Sequence, residues 1–327
     1  MARDAETRTP RSGDSLLPFD ASLAPAGAAG GALALPMDQE FAPRERFSLG
    51  DLLRDRRWFC GVILLLIFLA AVLAPLVAPY SPTEYHPAIV AQAPTRAHLL
   101  GTDELGRDIL SRIIYGARVS LAVGIAAILL GGVVGIFLGT IAGYARGWVD
   151  QVVTIIVDAI LSFPSIILAL AIAAVLGRGV TNLVVALAFV RIPIYARLAR
   201  GQALQVRSLD YITAAHASGT RTWRILLRHV LPNIFSPLLV QGTLSVSFAI
   251  LDESVVSFLG VGGVEPPDPE WGGMITAAQS YIFSDPWMLV GPAVAIIITV
   301  LCLNLVGDAL RDRLDPRTAR AAASRGV

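Results

Sequence analysis

The sequence contains no lysine, so each of its 26 Lys and Arg positions is an arginine. A Gly-rich phosphate-binding loop needs a lysine that reaches the phosphates, and ATP hydrolysis by that kind of site is therefore excluded. Cysteine is also scarce. Cys60 and Cys302 both lie in hydrophobic runs, which predicts neither a disulfide framework nor a zinc site. The four histidines are scattered and no HExxH or nucleophile-elbow motif occurs, so no catalytic or metal-binding constellation is predicted.

Charged residues are also scarce in the sequence. Charged residues make up 16% of the 327 residues, hydrophobic residues make up 55%, and the mean hydropathy is +0.65. This composition is typical of an all-α membrane protein with several spans. The lipid bilayer is the expected surrounding, and no nucleic-acid partner is expected.

Six hydrophobic stretches predict six transmembrane helices. Their bounds are 59–79, 118–143, 151–176, 180–199, 234–259 and 286–307. With both termini in the cytoplasm, the segments near the membrane hold 17 arginines inside and four outside. This distribution agrees with the positive-inside rule, and it predicts cytoplasmic termini.

The chain divides into four predicted parts. Residues 1–50 are rich in Ala, Pro and Gly without periodicity, which predicts a disordered cytoplasmic tail. Residues 51–117 hold the first span and an extracytoplasmic loop, residues 118–310 form the main membrane domain, and residues 311–327 form a second cytoplasmic tail.

Small and ionisable residues inside the spans predict helix contacts. Gly131, Gly135 and Gly139 form a stripe at four-residue spacing, which favours close packing of two helices in lipid. Ionisable groups at this depth face protein or water, and a structural role is the favoured interpretation. Asp158 is the predicted partner of Arg191. The full set of such groups is Asp158, Arg191, Asp252 and Glu253.

The polar segment 208–232, between spans four and five, is too short to form a domain of its own. Ser208 or Asp210 can cap a first helix there, and Gly219 can end it with a positive φ. Helical spacing places four residues on one face with small side chains, which would let another surface approach closely. They are Tyr211, Ala214, Ala215 and Ser218.

A second helix is predicted to begin near Thr220 or Thr222, and Pro232 is expected to break or kink it. Its predicted apolar stripe consists of Trp223, Leu226, Leu227, Val230 and Leu231. From the residues alone, the polar segment is either a docking site for a partner or an ordinary cytoplasmic loop.

The polar segment resembles the coupling loop of bacterial ABC importer permeases. That loop carries Glu-Ala-Ala, three residues, Gly, nine residues, Ile, one residue and Leu-Pro; here Thr213 replaces the glutamate and His229 the isoleucine. The strings GTDELGRD and PPDPEWG resemble the second permease subunit of the dipeptide, oligopeptide and nickel importers. The matching loop positions are Ala214, Ala215, Gly219, Leu231 and Pro232.

The resemblance implies the type I ABC importer transmembrane fold, with residues 200–233 as the coupling loop. It implies a transport subunit of the bacterial inner membrane that is not an enzyme and binds no cofactor itself. The implied partners are a second permease, two ATPase subunits that bind ATP and magnesium, and an extracytoplasmic solute-binding protein. Di- or oligopeptides are the expected cargo. Nickel, glutathione or another small solute is the alternative, and an ATP-independent secondary transporter is the alternative outside the family.

Overall fold

The computed structural model describes residues 56–263 and 267–314, which are almost entirely helical. Within these ranges β-structure is limited to an isolated bridge between Thr102 and Asp108. The predicted tail 1–50 lies outside the described residues, as does the end of the chain from residue 315. The α-helices are α1 (Arg56–Val72), α2 (Ala74–Val77), α3 (Ile109–Ala145), α4 (Gly147–Leu161), α5 (Ser165–Leu176), α6 (Val180–Arg207), α7 (Asp210–Ala217), α8 (Thr222–Ile225), α9 (Leu231–Phe258), α10 (Trp271–Ala278) and α11 (Trp287–Leu314).

Four stretches of the described chain are long and apolar enough to cross a membrane. They are Ile109–Ala145, Val180–Arg207, Thr222–Phe258 and Trp287–Asp312. The pair α4 and α5 would make a fifth span, but the two helices meet at 89°. Helix α1 has 17 residues and rises about 26 Å, slightly less than the hydrocarbon thickness of a bilayer. Length and composition therefore support four or five spans, and the count of six stays a prediction.

Helix α3 begins at Ile109, well before the predicted start of the second span at Arg118. Asp108 caps it, because its carboxylate accepts the backbone N–H of Ser111 at 2.8 Å. Asp103 accepts the N–H groups of Leu105 and Arg107 in the preceding turn. The helix therefore extends beyond its hydrophobic stretch, since capping rather than hydropathy decides where it starts.

Prolines act differently in the third and fourth predicted spans. Pro164 has extended backbone angles (φ −56°, ψ 128°), and the helical path breaks there into α4 and α5. Pro193 lies inside α6, which continues to Arg207 rather than ending at the predicted Ala199. A proline removes one backbone hydrogen bond, and neighbouring helices in a membrane bundle make that loss tolerable.

The glycine stripe of α3 packs closely on another helix, as the sequence predicted, and the structure shows that this helix is α6. A Cβ atom added to any of these glycines would overlap a carbonyl group of α6, so only glycine allows this approach. The contact positions advance together along both chains, which means that the two helices run parallel. The facing pairs are Gly131 with Ala188, Gly135 with Ile192, Gly139 with Ala196 and Gly143 with Arg200.

Substituting Gly139 by leucine should prevent this packing and remove the folded protein from the membrane. The Cα of Ala196 would lie only 2.8 Å from the added Cβ, and both groups belong to helix backbones that cannot yield separately. Gly201→Ala is the matched control, because nothing lies within 4 Å of a Cβ at that position of α6. Membrane-fraction yield and gel-filtration profile measure the difference. Normal yield of the Gly139→Leu protein would contradict the packing.

A buried cluster at one end of the molecule fixes the polar segment 208–232. Ile212 of α7, Ile225 of α8 and Ile234 of α9 pack together with residues from the end of α6, including Ala203 and Val206. Ile212 is 1% exposed and Ile225 and Ile234 are 0% exposed. The polar segment is therefore part of the folded bundle. We refer to this end as the α7 end and to the opposite one, where α3 begins beside α10, as the α10 end.

Candidate functional site

Helix α7 follows α6 after only two residues, Ser208 and Leu209. Its N-cap residue is Leu209, and no side chain caps it, so the predicted caps at Ser208 and Asp210 are wrong. The hydroxyl of Ser208 donates to the carbonyl of Gln205 instead, at 2.8 Å, which closes the last turn of α6. Asp210 is the first residue of α7, where its negative charge suits the helix dipole.

Gly219 ends α7 in the way the sequence predicted. Its φ is +73°, a conformation that costs glycine least. The N–H of Gly219 bonds to the carbonyl of His216 at 2.9 Å, and the N–H of Thr220 bonds to that of Ala215 at 3.1 Å. These bonds satisfy carbonyls that the helix end would leave unpaired. No atom of the described residues, other than its chain neighbours, lies within 4 Å of a Cβ at Gly219, so this position faces open space.

The face of α7 that the sequence predicted for docking is largely exposed. Tyr211, Ala214 and Ser218 are exposed, whereas Ala215 is half-buried and packs on the cluster that contains Ile212. The helix thus has an anchored side and a free side. The free side offers a methyl group, a hydroxyl group and one aromatic ring, so a partner surface can come close to the helix backbone.

The second helix differs from the predicted one. A π-helical turn at Leu226–Val230 joins α8 to α9, and the helix runs through Pro232, which neither breaks nor ends it. Pro232 stands in the first turn of α9, where its missing N–H matters least. Leu231 is half-buried and Pro232 is exposed.

The π turn also changes which residues face inward. Ile225 and Val230 are buried, while Trp223 and Leu227 of the predicted stripe are exposed. A π turn adds one residue between successive hydrogen-bonded positions, which rotates the following residues relative to α-helical spacing. The predicted apolar stripe, counted at α-helical spacing, is therefore right for Val230 and wrong for Trp223 and Leu227. Leu226 and Leu231 are both half-buried.

Two side-chain contacts that the sequence did not predict brace α7. Asn233 of α9 donates to the hydroxyl of Tyr211 at 3.2 Å. Tyr144, near the end of α3, lies with its hydroxyl oxygen 2.5 Å from Nε2 of His216. The fold brings the two residues of each contact together, because they are 22 and 72 residues apart in sequence.

The ionisable groups of the spans pair differently from the prediction. Arg191 is 6% exposed and donates to the carboxylate of Asp252 on α9, rather than to Asp158. Asp158 accepts from Arg197 at 2.6 Å, and this second pair is well exposed. The prediction that Asp158 pairs with Arg191 is therefore wrong. Arg197 lies on α6 between Arg191 and the α7 end, where it reaches α4, as does Arg200 through Asp150.

Glu253 is fully buried next to Asp252 but contacts other elements. Its carboxylate accepts hydrogen bonds from Ser120 of α3 at 3.2 Å and from Ser254 at 3.3 Å. Ser120 also accepts from the backbone N–H of Trp271 at 3.4 Å, so this group joins α3, α9 and α10. These partners indicate a structural role for Glu253.

A polar cluster fixes the loop that precedes α3. Asp103 bonds to Arg107 at 2.6 Å and lies 3.3 Å from Arg112, and these three side chains are each less than 10% exposed. Arg112 also donates to the carbonyl of Pro82 at 2.8 Å. The segment GTDELGRD is thus a loop that packs against the start of α3. Within the described residues, no group of three or more His, Cys, Asp or Glu side chains is placed to hold a metal ion.

Comparison with known families decides the identity of this bundle. Residues 135–320 match the family model described as "Binding-protein-dependent transport system inner membrane component". The chain belongs to this family. Residues 56–94 of this permease also match the model for the N-terminal TM domain of oligopeptide transport permease C. The second match covers α1 and part of the loop before α3.

Curated relatives cover most of the permease. The dipeptide transport system permease protein DppC of Alkalihalophilus pseudofirmus is 42% identical over 275 residues, which span 84% of this chain and 90% of the relative. The glutathione transport system permease protein GsiD of Pectobacterium atrosepticum is 43% identical over 258 residues, 79% of this chain and 85% of the relative. The permease is thus a subunit of an ABC importer and has the relatives expected from its sequence motifs.

A solved structure matches the fold. An inward-facing crystal form of the MetNI methionine ABC transporter aligns with a TM-score of 0.54 and 20% identity, over 63% of this permease and 98% of that chain. The permease therefore has the all-α transmembrane fold of type I ABC importers, to which the described residues contribute four or five candidate spans.

Proposed function

We propose that this permease forms one half of a heterodimeric path that imports di- or oligopeptides across the bacterial inner membrane. Two of its relatives, named for dipeptide and glutathione transport, match over at least 79% of the chain, and glutathione is itself a short peptide. Both relatives are thus named for the transport of a peptide. Glutathione import is the second candidate, and the 43% identity to GsiD favours it over nickel.

The exposed face of α7 is the observation that carries the proposed mechanism. We assign it as the coupling helix, with Tyr211, Ala214 and Ser218 seated in a groove of a partner ATPase and Gly219 ending the helix. The motif residues Ala215 and Leu231 support the helix from inside, since both are half-buried. ATP and magnesium bind the partner, whose closure displaces α7 and turns the path from the cytoplasm toward the outside.

The remaining partners follow from the same scheme. A second permease completes the path, two ATPase subunits dock at the α7 ends of the two permeases, and a solute-binding protein delivers cargo at the α10 end. The termini and residues 200–233 lie in the cytoplasm. The arginine distribution supports this orientation, since Arg221, Arg224 and Arg228 are exposed at the α7 end.

Uptake by cells that lack their own peptide importers tests the cargo. The permease is expressed with its partner subunits, and uptake of a labelled dipeptide is measured against an excess of unlabelled dipeptide, tripeptide, glutathione or nickel. The proposal expects competition by dipeptide and tripeptide and none by nickel. Absence of dipeptide uptake would contradict the proposal, and uptake of labelled glutathione by the same cells would then favour the second candidate.

Cysteine labelling tests the orientation. In a chain whose Cys60 and Cys302 are replaced by serine, Pro267→Cys should react with a membrane-impermeant maleimide added to spheroplasts, because residue 267 is exposed at the α10 end. Ser218→Cys should react only after the membrane is opened, although it is exposed as well. Labelling of Ser218→Cys in intact spheroplasts would invert the assigned topology.

A further inference from the structure

The last residues of α3 meet α7 at the side chains of Tyr144 and His216. Tyr144 is 6% exposed, and its hydroxyl oxygen lies 2.5 Å from Nε2 of His216. The two rings also stack, with centroids 5.9 Å apart and an angle of 24° between their planes. His216 stands in the last turn of α7 and is exposed on its outer side. The contact is therefore both a hydrogen bond and a ring packing.

Arg207, the last residue of α6, holds the other side of Tyr144. Its guanidinium donates to the backbone carbonyl of Tyr144 and lies 5.4 Å from the centre of the ring. The carbonyl groups at the end of a helix lack intrahelical partners, and a cation there also suits the helix dipole. Tyr144 is thus fixed to α6 by Arg207 and to α7 by His216, which makes it the meeting point of three helices.

The geometry points to Tyr144 and His216 as the positioning pair through which α7 moves α3. This inference rests on the proposed function of α7 as the coupling helix. The glycine stripe locks α3 to α6 along four consecutive turns, so the two helices move together. Ser208 and Leu209 join α7 to α6, and Ile212 and Ala215 pack on the buried cluster that includes the end of α6, so α7 is held to α6 along its inner side.

The hydrogen bond at His216 holds the far end of α7 to α3. Asp210 and His216 are six residues apart, about 9 Å along the helix axis. A helix held at both ends transmits a push at its exposed face to both neighbours, whereas a helix held at one end turns in place. The start of α3 lies in the polar cluster of Asp103 and Arg112, so movement of α3 reaches the α10 end.

Three variants of the full importer test this inference. Tyr144→Phe keeps the ring and removes the hydroxyl, His216→Ala removes the imidazole, and His216→Gln keeps an amide that can accept the hydrogen bond. The complex is purified with its ATPase and placed in vesicles. The three readouts are the amount of ATPase retained, the rate of ATP hydrolysis and the amount of dipeptide transported for each ATP.

Retention of the ATPase should equal that of the unmodified complex in all three variants, because the docking face is unchanged. Dipeptide transported per ATP should fall about five-fold in Tyr144→Phe and in His216→Ala, the factor that corresponds to one hydrogen bond of ordinary strength. The double variant should fall no further than either single one. His216→Gln should restore most of the ratio, which a general loss of stability would not do.

Two kinds of result would contradict this inference, and they separate it from the proposed function. An unchanged transport ratio in Tyr144→Phe and His216→Ala, or losses that simply add in the double variant, would overturn the role of this pair and leave the coupling helix intact. If the unmodified complex retains no ATPase, the proposed function fails and this inference fails with it. His86→Ala is the control, since His86 lies in the loop before α3 and its ring is 3.8 Å from Glu84, away from α7.

Discussion

Replacing Ala214 by glutamate is expected to abolish peptide uptake and to release the ATPase from the purified importer. Ala214 is exposed on the free side of α7, so the new side chain fits the isolated permease without strain. It would occupy the space into which we place the partner's groove. Uptake and the ATPase content of the complex are measured together, at equal amounts of permease in the membrane.

Thr213→Glu is the control for charge and size. Thr213 is exposed too, but it lies about 100° around the helix from Ala214. It should leave uptake near normal. The structure makes Ala214 a sharper site than Ala215, whose half-buried position means that a bulky residue there would also disturb the permease core. Normal uptake by Ala214→Glu would mean that this face of α7 contacts no partner.

Gly219, which ends α7, provides a second test of this helix. Gly219→Val should uncouple or release the ATPase, because a β-branched residue at φ +73° costs about 1–2 kcal/mol and the helix end would rearrange. Gly219→Asn should preserve uptake, since asparagine tolerates the left-handed conformation and the site has room for its side chain. Equal uptake by the two variants would show that the helix end is unimportant.

Removing Arg191 is expected to destabilise the permease strongly. The carboxylate of Asp252 is nearly buried and would lose its cationic partner, a change that typically costs about 3–5 kcal/mol. Arg191→Ala should therefore lower the free energy of unfolding, measured by SDS titration in mixed micelles, by that amount. Arg191→Met combined with Asp252→Leu should recover most of the loss, because neither charge then remains unpaired.

The exposed pair of Arg197 and Asp158 is the matched control for this prediction. Both side chains are more than half exposed, so Arg197→Ala should cost at most about 1 kcal/mol. A double-variant cycle between Arg191 and Asp252 should show coupling, and one between Arg191 and Asp158 should show none. Coupling of Arg191 with Asp158 instead would return the pairing to the one that the sequence suggested.

Features that depend on a few neighbouring residues could be predicted from the sequence. Gly131, Gly135 and Gly139 were recognised as a packing stripe because helical spacing alone places them on one face. The positive φ of Gly219 followed from its place after a short helix. The family motif located α7 in the chain, although spacing by itself left a plain loop equally possible.

Features that depend on distant residues could not be predicted. Arg191 and Asp252 are 61 residues apart, and the relative rotation of α6 and α9 decides that they meet. The π turn before α9 changes the helix phase, and no single residue in Leu226–Val230 indicates this turn in the sequence. Tyr144 and His216 meet because α3 and α6 run parallel to the same end, which the glycine stripe permits but does not require.

The measurement that tests the account most directly is photo-cross-linking from the free side of α7 in intact membranes. Ala214→Cys is labelled with benzophenone in a chain without Cys60 and Cys302, and mass spectrometry identifies the cross-linked protein. Phe283→Cys serves as the control, because Phe283 is 99% exposed on the loop after α10. If α7 is the coupling helix, an ATPase subunit is attached at residue 214 and none at residue 283. An ATPase attached at residue 283, or only lipid at residue 214, would contradict the assignment of α7 as the coupling helix.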